Sequence, residues 1–166
     1  MVNARAMALL LAGLAAGAGC RAPAPVPAGR RLGEDGPAVW LVDGRRAAWR
    51  SLLAARPTTL VVFATTWCGI CREEQPAVEA WARAHPEVPV LYVFSGEALA
   101  AVLPELGRRH LGGGTLTAVV DAEGRLADHY GVSATPTFLV LAPDGSPRAT
   151  HHRIGEVRVP GGRDPS

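Results

Sequence analysis

Leu60-Val61-Val62-Phe63-Ala64-Thr65-Thr66-Trp67-Cys68-Gly69-Ile70-Cys71 decides the fold, because it carries a continuous apolar run of strand length straight into two closely spaced thiols. A run this apolar and rich in β-branched residues suits a strand covered on both faces, which implies a sheet with helices on either side. The helix that follows, expected over Gly69 to Ala84, places Cys68 at its N-terminus. There the unpaired backbone N–H groups and the positive end of the dipole favour a thiolate. Cys68 is therefore the candidate nucleophile. Cys71 lies one helical turn further on, within reach of a disulfide back to Cys68, and is the candidate resolving thiol.

The competing use of a Cys-x-x-Cys is half of a zinc site, which needs two further ligands at similar spacing. The third cysteine, Cys20, lies far upstream, and no His stands at short spacing from the pair. A redox pair is the expectation, with no metal and no cofactor. Copper-binding thiols, using Cys68, Cys71 and one His, are the alternative from a different class.

Composition bounds the rest. The chain has 166 residues, 48% of them hydrophobic, which is enough for one α/β domain and too little for two. The net charge of +2 is spread without a basic block, so no nucleic-acid partner is expected. All seventeen basic residues are Arg. Schiff-base chemistry is thereby excluded, and any cation beside Cys68 must be an Arg or a His, Arg72 being nearest in sequence.

Residues 1–19 read as an export signal: a short Arg-bearing start, then an apolar and small-residue stretch from Ala6 to Gly19 that is shorter than the ~20 residues of a membrane span. Gly17-Ala18-Gly19-Cys20 resembles a bacterial lipoprotein box, which makes Cys20 the candidate lipidation site and membrane anchor. Gly17 stands where a branched apolar residue is preferred, and cleavage after Ala18 is the competing expectation. Lipidation leaves the remaining cysteines an even pair. Residues 20–36 are Pro- and Ala-rich and suit an extended tether. The domain is expected over 37–156, and 157–166 as a frayed, disordered tail.

Within the domain, Ala38 to Val42 is a strand candidate closed by the turn signal Asp43-Gly44, and a helix with Ala47, Leu52 and Leu53 on its apolar side is expected next, stopped by Pro57. Pro76 should bend the helix after the thiols. Val88 to Phe94 reads as a strand and Glu97 to His110 as a helix with Leu99, Val102, Leu103 and Leu106 on one face. Leu116 to Val120 is a strand, Gly124 to Tyr130 a short helix, and Pro136 to Leu141 a strand. That strand is joined by the turn Pro143-Asp144-Gly145-Ser146 to a last one at about Arg148 to Ile154. Alternating strands and helices ending in a hairpin predict an α/β fold with a mixed central sheet flanked by helices.

Three segments carry a resemblance to the thioredoxin superfamily, and more narrowly to the extracytoplasmic TlpA/ResA/CcmG-like thiol:disulfide oxidoreductases. They are Phe63 to Pro76 with the two thiols, Tyr130-Gly131-Val132-Ser133-Ala134-Thr135-Pro136-Thr137-Phe138, and Asp144-Gly145 followed by Gly155. The resemblance spans about Trp40 to Gly155 and implies a thioredoxin-like fold with an extra N-terminal strand and helix. It implies that Pro136 is cis and faces the thiols, the alternative being a trans Pro opening a strand. The Thr135 backbone would then accept an extended client segment as an added strand. The implied partners are client protein disulfides, as in apocytochrome c or cuproprotein assembly, and a membrane thiol donor, in the periplasm or cell envelope.

Glu74 matches an acid of that family and is expected either to exchange protons with Cys71 or to be a solvated carboxylate like Glu73. Cytosolic thioredoxins carry a buried Asp where Val62 stands. Trp67 and Phe138 are expected to cover the disulfide and fill the core, and Trp67, Thr135 and Pro136 are the candidate substrate-binding residues. His129, His151 and His152 read as surface or turn residues. Thr65-Thr66-Trp67-Cys68 contains the Thr-x-x-Cys of peroxiredoxins, so a thiol peroxidase is a further alternative, weakened by Val61 where that family has Pro. Ile70 replaces the usual Pro between the thiols, which leaves the direction of electron flow open, and no clear counterpart of the family's final helix is expected after Gly155.

Overall fold

A computed structural model describes residues 35–53, 56–109 and 116–160. The candidate signal, Cys20 and nearly all of the tether lie outside these residues. Among the described residues, seven strands form one sheet in the order β2 (Arg46–Ala48), β1 (Ala38–Leu41), β5 (Leu116–Asp121), β4 (Val90–Ser95), β3 (Thr59–Ala64), β6 (Thr137–Leu141) and β7 (Pro147–His151). The thiol-bearing run forms β3 (Thr59–Ala64), every residue of which is buried. It lies between β4 (Val90–Ser95), which is parallel to it, and β6 (Thr137–Leu141), which is antiparallel. β5 (Leu116–Asp121) runs parallel to β4, β1 (Ala38–Leu41) runs antiparallel to β5, and β2 lies outside β1 at the edge. This is the mixed sheet that the alternation of elements predicts.

Alternate residues along each strand point to opposite faces, so the sheet separates two apolar cores. Val62, Ala64, Tyr92, Phe94, Ala118, Val120, Phe138 and Val140 face one core, with Cys71, Val78 and Ala82 of α2 (Gly69–Ala84) and Val102 and Leu106 of α3 (Leu99–Arg109) packed over them. Val61, Phe63, Leu91, Val93, Val119, Leu139 and Leu141 face the other. That core is capped by Trp49 and Leu53 of α1 (Trp49–Leu53) and Leu126 and Tyr130 of α4 (Arg125–Tyr130). Both thiols belong to the first core, beneath α2.

Two elements differ from expectation. Asp43-Gly44 turns the chain back into β2 (Arg46–Ala48), antiparallel to β1, rather than opening a helix. Gly44 supplies the positive φ, +83°, that such a tight connection takes, and Asp43 accepts the Arg45 N–H at 2.9 Å. Helix follows only from Trp49, as the single short turn α1. The last strand, β7 (Pro147–His151), pairs with β6 as a hairpin but ends three residues early, and Ile154–Glu156 forms a 3-10 turn. Ile154 and Val157 are buried in the first core and Val159 packs against it, so packing continues past the strand. Pro76 lies inside α2, which runs unbroken across it.

Candidate redox site

Cys68 is the N-cap of α2 and is joined to Cys71 by a disulfide, with the two Cα atoms 5.2 Å apart. The backbone N–H of Cys71 donates to Cys68 Sγ at 3.0 Å, one of the helix's otherwise unpaired donors. On reduction the same N–H meets a sulfur that gains negative charge when it ionises, so helix geometry favours the thiolate at Cys68 rather than at Cys71. Cys71 is almost fully buried, and its carbonyl accepts the Tyr92 hydroxyl at 3.4 Å.

The Thr135–Pro136 peptide bond is cis. The Thr135 carbonyl oxygen lies 3.7 Å from Cys68 Sγ, a contact without a shared proton while the sulfurs are bonded and an acceptor for a thiol once they part. Pro136 is buried, Thr137 donates its hydroxyl to the Ala134 carbonyl at 2.7 Å, and His152 Nδ1 lies 3.3 Å from the Pro136 carbonyl. Thus Cys68, Cys71, Thr135 and Pro136 come together.

Trp67 and Phe138 part company. Phe138 is wholly buried on β6, but Trp67 is 73% exposed and fills no core, and Ile70, three residues further on, is 51% exposed. The Trp67 indole belongs to neither apolar core among the described residues, so local sequence overstated its burial. Thr65 is buried with its hydroxyl unpaired, and its carbonyl accepts the Cys68 N–H at 3.3 Å.

Glu74 is neither free nor simply solvated. Its Oε2 accepts the Ile154 N–H at 3.0 Å and its Oε1 pairs with Arg153 at 3.4 Å, tying α2 to the chain after β7. The side chain is only 15% exposed. Arg72 is exposed and donates to the Thr66 carbonyl at 3.3 Å. The residue that sequence reading missed is Glu97, whose carboxylate accepts both the N–H and the hydroxyl of Thr66, two residues before Cys68. The available signal was topological: β3 and β4 are adjacent and parallel, so the loops after them emerge side by side at one sheet edge. Among the described residues no group of three or more His, Cys, Asp and Glu is placed to hold a metal ion.

A thioredoxin-like fold with a disulfide-bonded Cys-x-x-Cys at a helix start, facing a cis-proline, defines the class of this chain. The chain is similar to several known proteins. A "Thioredoxin-like protein" of Haemophilus influenzae is 31% identical over 101 residues, 61% of this chain; the chain spans 58% of that relative's length. A secreted disulfide oxidoreductase of Mycobacterium tuberculosis, homologous to E. coli DsbE, superposes with a TM-score of 0.58 at 22% identity, covering 70% of this chain and 83% of that one. The exposed lipoprotein thioredoxin Etrx1 of Streptococcus pneumoniae superposes with a TM-score of 0.56 at 27% identity, covering 69% and 87%. These neighbours are consistent with the TlpA/ResA/CcmG-like resemblance. No protein-family model matches the chain.

Proposed function

We propose that the protein is an exported thiol:disulfide oxidoreductase that reduces disulfides in client proteins. The observation that carries this is the placement of Cys68 Sγ between the Cys71 N–H and the backbone of the cis Thr135–Pro136 segment. The Cys68 thiolate attacks one sulfur of a client disulfide, forming a mixed disulfide and releasing the other client sulfur as a thiolate that takes up a proton. Cys71 then loses its proton and attacks Cys68 Sγ. The Cys68–Cys71 bond forms, the second client thiol leaves, and two electrons have passed to the client.

The Thr135 backbone presents an edge on which an extended client segment aligns, and exposed Trp67 offers it an apolar surface. Glu74, three residues after Cys71 on α2, is the proton acceptor for that thiol, through water in this arrangement because its oxygens already hold Ile154 and Arg153. A membrane thiol donor re-reduces the pair. The Cys20 segment anchors the chain in the cell envelope, and the clients are apocytochrome c or cuproprotein assembly factors. The signal-like residues 1–19, together with one structural neighbour being secreted and another an exposed lipoprotein, support this placement.

Expression of Cys71→Ser in an exporting host tests the exchange step: covalent client adducts, released by dithiothreitol and absent from Cys68→Ser, are expected. No adduct with either variant overturns it. Fractionation of the wild type and Cys20→Ser tests the anchor, which is refuted if both stay soluble.

A further inference from the structure

We propose that Glu97 is a positioning residue for the thiol pair, holding the Thr66–Trp67 turn so that Cys68 Sγ is delivered to the N-terminus of α2. This deepens the exchange function proposed above and rests on it. In the parallel β3–β4 pair Ala64 stands opposite Phe94, so the segments Thr65-Thr66-Trp67 and Ser95-Gly96-Glu97 leave the sheet together. Gly96, with φ +73° and open space where a Cβ would stand, turns the second segment sharply. Glu97 then meets Thr66 with both oxygens: Oε2 accepts the Thr66 N–H at 2.8 Å and Oε1 the hydroxyl at 2.5 Å.

The Thr66 carbonyl is taken from the other side by Arg72 of α2 at 3.3 Å. Thr66 is therefore gripped at its N–H, its hydroxyl and its carbonyl. Trp67, being 73% exposed, contributes no burial to fix the turn, so these polar ties set its course. Directly after it come the two bonds that seat Cys68, its N–H on the Thr65 carbonyl at 3.3 Å and its Sγ under the Cys71 N–H at 3.0 Å. Carboxylate hydrogen bonds are about twice as strong as neutral ones, which suits a single side chain restraining a surface turn. Displacements of about 1 Å at a reacting centre cost rate steeply.

Glu97 as a tie and Glu97 as a charge have opposite signatures. A nearby carboxylate disfavours a thiolate, so removing the charge alone makes Cys68 ionise more readily. Losing the tie withdraws Cys68 from the Cys71 N–H and makes it ionise less readily. The test uses the intact, reduced chain with Glu97→Ala, Glu97→Gln and Thr66→Ala, iodoacetamide labelling of Cys68 followed by mass spectrometry across pH, and insulin reduction.

In Glu97→Ala the pH midpoint of Cys68 labelling is expected to rise and insulin kcat/KM to fall about tenfold, the loss expected for hydrogen bonds to a charged acceptor. Glu97→Gln, whose amide oxygen still accepts, should recover most of the rate with a midpoint at or below the wild type. Thr66→Ala should fall between, and provides the decision if Glu97→Ala does not fold. A downward or unchanged midpoint in Glu97→Ala, or Glu97→Gln as impaired as Glu97→Ala, overturns the proposal. Amide hydrogen exchange at Thr66 is expected to quicken in Glu97→Ala, and equal protection in both proteins refutes the tie. Should the wild type reduce no insulin, the exchange function fails, while the labelling and amide measurements still decide Glu97.

Discussion

The backbone N–H of Cys71 points at Cys68 Sγ across 3.0 Å, so the second thiol's own backbone stabilises the first. In the exchange proposed above, this makes Cys68 the attacking sulfur and Cys71, the more deeply buried of the two, the sulfur that waits. In the reduced protein iodoacetamide should label Cys68 at least about tenfold faster than Cys71, given the thiolate preference at a helix N-terminus. Residue-resolved mass spectrometry checks this, and equal rates would remove the asymmetry.

Glu74 supplies the acceptor for the Ile154 N–H. Glu74→Ala leaves that donor unpaired and should destabilise the fold by about 1–2 kcal/mol, the usual cost of such a loss. The ion pair with the largely exposed Arg153 adds little. A melting point lower by several degrees is expected in calorimetry, and Arg153→Ala should lower it much less.

Tyr130 links the second core to the β6–β7 turn: its hydroxyl accepts the Trp49 indole N–H at 2.8 Å and donates to the Gly145 carbonyl at 3.0 Å. Tyr130→Phe strands a buried indole N–H and should cost about 1–3 kcal/mol in urea denaturation.

Burial also raises the Tyr130 pKa, against the lowering effect of its Trp49 hydrogen bond. The folded state therefore holds the phenolic proton more tightly than the unfolded state. Its contribution is complete below the unfolded pKa and declines as pH rises through about 10 towards the folded value. Stability measured between pH 9 and 11 should fall more steeply in the wild type than in Tyr130→Phe.

Gly145 has φ +79°, and a Cβ there would stand 3.3 Å from Leu53 Cδ1 and 3.4 Å from Tyr130 Oη. Gly145→Ala should lose about 1–2 kcal/mol through the left-handed backbone alone. Because the new methyl also presses on Tyr130, the double variant Gly145→Ala/Tyr130→Phe should be less destabilised than the sum of the singles.

Much of this was legible along the chain. Val61 and Phe63 alternate with Val62 and Ala64 inside an unbroken apolar run, a pattern that only a two-faced strand accommodates. Cys68 at the end of that strand, Gly69 to Ala84 as a helix and Gly145 in the last turn followed from local chemistry. β2 was not legible, because three residues of mixed polarity, Arg46-Ala47-Ala48, carry no period and take their form from pairing with β1. Trp49 was likewise silent until α1 closed over the second core.

The primary sequence by itself determined the thiol pair, its place at a strand-to-helix junction and the alternation of elements, since each depends on neighbours within a few residues. The tertiary structure alone decided what those thiols meet. It set the Thr135 carbonyl against Cys68, drew Glu74 to Ile154 and Arg153, and laid Glu97 on Thr66. Each of these contacts joins residues 31 to 80 positions apart, and the register of the sheet and the loops leaving its edge fix them in ways that no local pattern encodes.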